Sequence, residues 1–269
     1  MAEKVSVITI SYNSKETIER TFQSIMAQPY RPLEYVLVDG ASTDGTIEVI
    51  ERYIPQFKAL GIEVLFRSEE DKGISDAFNK GIRRSTGSII GIINSDDQLA
   101  EDAVSRIVNK FEEDTDVVCG DCLWIDEERN LQYVRKSKMN LDLLKYEMVL
   151  MHPTCFVKKS SYSKYGMFDL NMKYVMDKDL MARFYRSGAK FKYLPQIVTK
   201  MYAGGVSDAN AKKVFAEGIE IAIRNDVPKW KVVLHYQYKW IRLKIVNYIK
   251  SNKMFWKMIK SEKKIKYRL

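Results

Sequence analysis

Cysteine is scarce, with three residues in a chain of 269. An odd number that small cannot build the disulfide framework of a secreted scaffold. Histidine is scarcer, only His152 and His235, which all but removes a histidine-rich zinc site. Six prolines and 13 glycines are too few for collagen-like or low-complexity repeats. A content of 46% hydrophobic and 12% aromatic residues argues against disorder. No apolar run approaches 18 residues; the longest, around residues 88–93, is strand-length, so a membrane span is not expected. The opening Met1-Ala2-Glu3-Lys4 runs straight into an apolar strand pattern, without the charged-then-apolar layout of a signal peptide. The expectation is a cytoplasmic protein.

What is abundant is positive charge, and it is localised. Residues 229–269 carry 13 Lys/Arg against the single acid Glu262, a net of +12. The first 228 residues hold 31 basic and 34 acidic side chains, a net of −3. A basic partner hypothesis therefore belongs to the tail alone.

Along the body, β-branched runs alternate with helical patterns, the mark of a mostly parallel sheet. Strands are expected at 5–12, 34–39, 62–67 and 88–94. Helices are expected from Asn13-Ser14 to Ala27, from 46 to about 58, and from the Asp71-Lys72-Gly73 opening to Ser85. Residues 117–125 and 131–135 read as a hairpin. Ligands of open α/β sheets bind beyond the carboxyl ends of strands. Three such ends carry acids or amides: Asn13, Asp39, and Asn94-Ser95-Asp96-Asp97. One would read as a helix cap; three on one edge point to a site. Asp96-Asp97 sets two hard oxygen ligands side by side, which suits Mg2+ or Mn2+.

Residues 6–13 (SVITISYN), 38–46 (VDGASTDGT), 70–81 (EDKGISDAFNKG) and 91–97 (GIINSDD) resemble successive motifs of family 2 glycosyltransferases with the GT-A fold. The resemblance continues through 152–156, 166–169, 177–183 (DKDLMAR) and 204–207 (GGVS). Its subtype is similar to enzymes of bacterial surface-polysaccharide synthesis. It implies a Rossmann-like mixed, mostly parallel sheet flanked by helices. The expected division is a GT-A domain over 1–210, nucleotide-binding over 1–100 and acceptor-binding over 101–210, then a helical, basic, amphipathic region over 211–269.

The resemblance implies a UDP-sugar donor, with Thr9, Tyr12 and Asn13 lining the uridine site and Asp39 accepting the uracil N3–H. Asp71 and Asp76 flank the loop over the base, and Asp76 reads equally as a helix cap. Asn94, Ser95 and Asp96 complete the nucleotide-sugar set, although the family pattern begins with Asp where this chain has Asn94. Asp96 is the implied metal ligand, supported or shared by Asp97. Asp177 is the implied base of a single, inverting displacement, and Asp179 its orienting neighbour. Asp179 and Arg183 stand i, i+4, the spacing of an ion pair. Met176 replaces a Glu that the family often shows. His152 reads as an acceptor-site residue or a structural hydrogen-bonder, and Gly205 and Ser207 as a plain turn or a closing loop. Gln237-Tyr238-Lys239-Trp240 lacks the Arg of the processive synthases' motif, so one sugar per acceptor is expected.

Cys119-Gly120-Asp121-Cys122 imitates a redox motif, but it lies inside a strand pattern rather than at a helix start. In the tail, Trp230, Val233, Leu234, Ile241, Ile245 and Tyr248 recur at helical spacing among lysines. An interfacial helix on the inner face of an anionic membrane, serving a glycan or polyprenyl-diphosphate-linked acceptor, is one reading. A helix packed on the body is the plainer one. The rival class is a non-enzymatic α/β protein whose basic, aromatic tail binds nucleic acid or membrane; for the enzyme no nucleic acid is expected.

Overall fold

The computed structural model describes residues 2–204 and 210–251. Strand β1 (Val5–Ser11) lies between β2 (Leu33–Asp39) and β4 (Ile89–Ile92), and β3 (Glu63–Ser68) borders β2, all in parallel. β1 and β2 are buried almost throughout, as apolar runs covered on both faces must be. Their side chains divide with period two. Val5, Val7, Tyr35 and Leu37 enter one core, while Ile8, Val36 and Val38 enter the other.

Helices α1 (Ile18–Met26) and α2 (Thr46–Ala59) cover the first face. Ile18, Phe22 and Ile25 recur on one side of α1, and Phe22 packs edge-on against Tyr35 and Phe57. Helix α3 (Ile74–Arg84) covers the second face with Ala77, Phe78 and Ile82. The expected start of α1 at Asn13-Ser14 is corrected: Asn13 is left-handed at φ 49°, and a turn over residues 15–17 precedes Ile18.

The chain continues through β5 (Gln98–Leu99), α4 (Ala103–Val108), β6 (Val117–Asp126), β7 (Leu131–Arg135), β8 (Phe156–Lys158), α5 (Lys159–Tyr165), α6 (Met176–Arg186) and β9 (Phe191–Tyr202). The strand order is β3-β2-β1-β4-β8-β6-β9-β5, with β7 beside β6. β8 runs antiparallel to both β4 and β6, so β4, β6 and β9 point the same way as β1. One mixed sheet thus spans both expected halves. The β6–β7 hairpin forms as its turn signals suggest. The Cys119–Cys122 motif lies inside β6, where burial pushes both thiols up to about 12, far from a reactive thiolate.

Two C-terminal helices follow, α7 (Ala211–Arg224) and α8 (Lys229–Ser251). Ala222, Val227, Val232 and Tyr236 form a small core between them, with Tyr146 and Phe215 packed on it. α8 therefore has two apolar sides. Val232 and Tyr236 face the body; Trp230, Val233, Leu234, Tyr238, Ile241 and Ile245 are exposed. The packed reading holds for the side that carries Val232 and Tyr236. The side chain of Tyr248 and residues 252–269 lie outside the described residues. Among the described residues, no helix is long and apolar enough to cross a membrane.

Candidate functional site

The loops after β1, β2, β3 and β4 meet at one edge of the sheet, and Asp39 is their hub. Its Oδ1 accepts from the Ser11 and Ser42 hydroxyls at 2.9 and 2.5 Å. Its Oδ2 accepts from the Ser42 N–H and the Ser68 hydroxyl at 2.9 and 2.8 Å. A carboxylate offers about four lone-pair positions, so all are engaged in this buried group. A uracil N3–H could enter only where one serine hydroxyl turns aside. Thr9 is fully buried next to the Tyr35 hydroxyl and does not reach the surface of the cleft.

Tyr12 and Asp71 converge on Gly40. A Cβ at position 40 would stand 2.6 Å from Asp71 Oδ2 and 3.4 Å from the Tyr12 ring, so only glycine lets the three meet. Asp71 Oδ1 in turn accepts the Gly73 N–H at 2.7 Å. The Tyr12 ring is exposed beside this crevice, open on one side to a planar partner. Asn13 Oδ1 accepts the Thr43 N–H at 2.9 Å and ties the β1 loop to the β2 loop. Asp76 is turned to its own helix. Burial would raise its carboxyl, but the Lys72 N–H, Lys80 and Arg83 hold it below the usual range.

After β4, Ser95 meets the Ser14 hydroxyl at 2.9 Å. Asn94 Nδ2 donates to Asp97 Oδ2 at 3.1 Å. Burial raises the Asp96 carboxyl above its ordinary value. Burial and the neighbouring Asp96 charge push Asp97 up to about 8, against the pull of the Asn94 amide, the Tyr202 N–H and Arg20. Two adjacent carboxyls that resist ionising together are the donor set that a divalent cation satisfies. The described residues contain no cluster of three or more His, Cys, Asp or Glu able to hold a metal.

A second group gathers around Asp177, which is half-buried at the start of α6. Asp179 is buried and accepts from Arg183 Nε at 2.8 Å, while the other guanidinium nitrogens donate to the Tyr165 and Met167 carbonyls. The pair expected at i, i+4 thus also anchors the loop before α6. His152 packs against the rings of Phe78 and Phe168, each 5.8 Å away. Its burial lowers the imidazole's basicity, and the Asp177 charge restores part of it, so the two residues share one environment. Helix α3 joins this group to the crevice at Gly40. Ser75 donates to the Met172 carbonyl, and Asn79 exchanges two hydrogen bonds with the Phe168 backbone.

Sequence reasoning missed three supports. Gly40 was one glycine among 13. Lys178 stands between two acids, and it is buried with its ammonium on the Tyr146 and Gly218 carbonyls and the Tyr236 hydroxyl. Glu217, on α7, accepts the N–H groups of Lys173, Tyr174 and Val175 just before α6. Of the remaining expected residues, Gly205 and Ser207 lie outside the described residues.

A profile of glycosyl transferase family 2 matches residues 6–166. A PGL/p-HBAD biosynthesis glycosyltransferase of Mycobacterium bovis is 26% identical over 228 residues, covering 83% of this chain and 86% of the relative. A putative teichuronic acid biosynthesis glycosyltransferase of Bacillus subtilis, TuaG, is 34% identical over 102 residues, 38% of this chain and 39% of the relative. The fold matches S. aureus TarS at a TM-score of 0.65 and 18% identity, covering 85% of this chain and 41% of the length of TarS. Residues 1–349 of TarS in complex with UDP match at 0.62. A mannosyltransferase of Pyrobaculum calidifontis in complex with GDP-Man and Mn2+ also matches at 0.62, with 21% identity, covering 83% of this chain and 65% of that one.

Proposed function

The chain belongs to glycosyl transferase family 2, and on that premise we propose that it moves a single sugar from a UDP-sugar to a glycan acceptor with inversion, in surface-polysaccharide synthesis. Family membership sets aside the non-enzymatic reading. The observation that carries the proposal is the desolvated Asp96–Asp97 pair at the carboxyl end of β4, on the sheet edge that also holds Asp39. A relative named as a putative teichuronic acid biosynthesis glycosyltransferase, and matching folds bound to UDP or to GDP-Man with Mn2+, support it.

In this reading the uracil lies against Tyr12 over Gly40, and Asp39 takes its N3–H once one of the surrounding serine hydroxyls rotates. Asn13 and Asp71 hold the loops that shape the crevice, and Asn94 and Ser95 border the sugar. Asp96, with Asp97 behind it, would hold Mn2+ or Mg2+. Such an ion would supply charge stabilisation for the diphosphate leaving group. Asp177 accepts the proton of the attacking hydroxyl, because a neutral sugar hydroxyl is a poor nucleophile. Attack opposite to the leaving diphosphate inverts the anomeric carbon. Asp179 and Arg183 fix the loop beneath that base.

The outward face of α8 is assigned to an anionic membrane and a lipid-linked acceptor. Trp230, Leu234, Tyr238, Ile241 and Ile245 line one side, between exposed Lys229, Lys231, Arg242 and Lys244. Apolar insertion flanked by cations suits an anionic lipid surface. The test of the reaction is UDP release from a panel of UDP-sugars with Mn2+, with and without chelator. One UDP-sugar should stand out and chelator should stop it. Full release in chelator overturns the metal assignment, and no release from any UDP-sugar where a GDP-sugar added to the panel releases GDP overturns the donor.

A further inference from the structure

Asp177 is held from behind by the C-terminal helices, through two contacts that stand on either side of it in sequence. Just before α6, Glu217 of α7 accepts three successive N–H groups. Oε1 accepts from Lys173 at 2.9 Å, and Oε2 from Tyr174 and Val175 at 2.8 and 3.1 Å. Val175 is the residue from which α6 starts, two positions before Asp177. One carboxylate thus fixes the entry of that helix, with charge-assisted bonds that are stronger than neutral ones.

Directly after Asp177, Lys178 turns inward. Its ammonium lies 3.1 Å from each of three acceptors, the Tyr146 carbonyl, the Gly218 carbonyl of α7 and the Tyr236 hydroxyl of α8. Three donors and three acceptors close the set. Tyr236 donates to the same Tyr146 carbonyl at 2.8 Å. Gly218 is what admits this hydroxyl, since a Cβ there would collide with it. Glu217 and Gly218 are neighbours on α7, so a single turn of that helix grips α6 on both sides of Asp177. A further tie runs from Arg224 of α7 to Asp169 at 3.0 Å, in the loop leading to the same helix.

We propose that Glu217 and Lys178 are positioning residues, through which α7 and α8 hold Asp177 at the angle its proton transfer needs. The inference rests on the reading of Asp177 as the base. A carboxylate displaced by about 1 Å loses most of its advantage, a cost of roughly 10²-fold in turnover. Neither residue touches the donor crevice, so the loss falls on turnover and leaves nucleotide affinity alone.

The experiment uses the full chain. UDP binding is read by calorimetry, and turnover is read as UDP release, with water as acceptor, from the UDP-sugar that the panel selects. Glu217→Ala should lower kcat by roughly 10²-fold and leave UDP affinity within about threefold. Glu217→Gln keeps one acceptor oxygen and should recover part of the rate. Should the alanine variant fail to fold, the glutamine variant and Lys178→Met carry the test, each with kcat lowered and UDP binding retained. In an Asp177→Asn background, Glu217→Ala should cost nothing further, because there is no base left to aim. The same full loss in that background overturns the brace, as does a parallel fall in UDP affinity or unchanged turnover. Wild-type turnover in Asp177→Asn alone overturns the base reading, and the proposal with it.

Discussion

The Tyr236 hydroxyl stands 3.1 Å from the Lys178 ammonium, across 58 positions of sequence, and links α8 to the helix of Asp177. Burial and the Lys239 charge push the Lys178 amine down to about 7, while Asp177, Glu147 and Asp179 pull it back. Tyr236 itself is shifted upward by burial and by Glu147. With the folded value at about 7 and the ordinary value at 10.5, the unfolded chain binds more protons than the folded one between those limits. Stability contributed by this group therefore rises with pH across that window. The melting temperature of the wild type should gain on that of Lys178→Met between about pH 7 and 10. A difference that stays level with pH would show that the amine does not titrate there.

Gly40→Ala tests the base crevice. The added methyl would stand 2.6 Å from Asp71 Oδ2 and in contact with Tyr12, so the cradle must open. UDP affinity is expected to fall about tenfold or more, the equivalent of about 1.4 kcal/mol. The fold should stay intact, because the clash is met by loop side chains at the edge. Calorimetry with UDP reads the first and a thermal melt the second; unchanged affinity would move the nucleotide elsewhere.

Asp96→Ala removes the outer carboxylate of the β4 pair. It is expected to abolish UDP release and to make UDP binding insensitive to Mn2+. It should also lower the Asp97 carboxyl, because the Asp96 charge is one of the two causes that push it up. A variant that still binds UDP more tightly with Mn2+ would assign the ion to other residues.

The exposed side of α8 can be tested without cutting it off. Truncation after Pro228 would strip Val232 and Tyr236 from the small C-terminal core and leave Lys178 short of an acceptor. It would therefore confuse folding with docking. Leu234→Ser with Ile241→Ser changes only exposed positions. Wild type should sediment with anionic liposomes and be only partly released by salt, since salt screens charge and not apolar insertion. The double variant should lose most of that binding with its melting temperature unchanged. Equal sedimentation of both proteins would reassign the stripe.

Much of this architecture was legible in the sequence for a simple reason. Buried parallel strands such as residues 5–11 and 33–39 need continuous apolar runs, and acids such as Asp39 and Asp96 stand out where those runs stop. The Asp179–Arg183 pair was legible because helical spacing alone brings it together. Glu217 was not, because its partners are backbone N–H groups more than 40 positions away, and a backbone donor leaves no trace in residue type. The engaged state of Asp39 was equally hidden, since Ser11 and Ser68 are ordinary strand-end serines and Ser42 an ordinary loop serine until the strands align. Helix α8 left two readings open because its apolar positions serve two sides at once, which blurs any single stripe.

The double bonding of α8 also bears on reach. A basic tail on a flexible linker would let an enzyme swing freely above whatever it touches. α8 is instead pinned by Val232 and Tyr236, by the Lys239–Glu147 ion pair at 2.9 Å, and through Tyr236 to Lys178. Whatever plane meets Trp230, Leu234 and Ile241 is therefore held at a set height and tilt from Asp177. If that plane is the proposed membrane, such a mount would act as a ruler, favouring acceptors whose reactive hydroxyl stands at one distance above it.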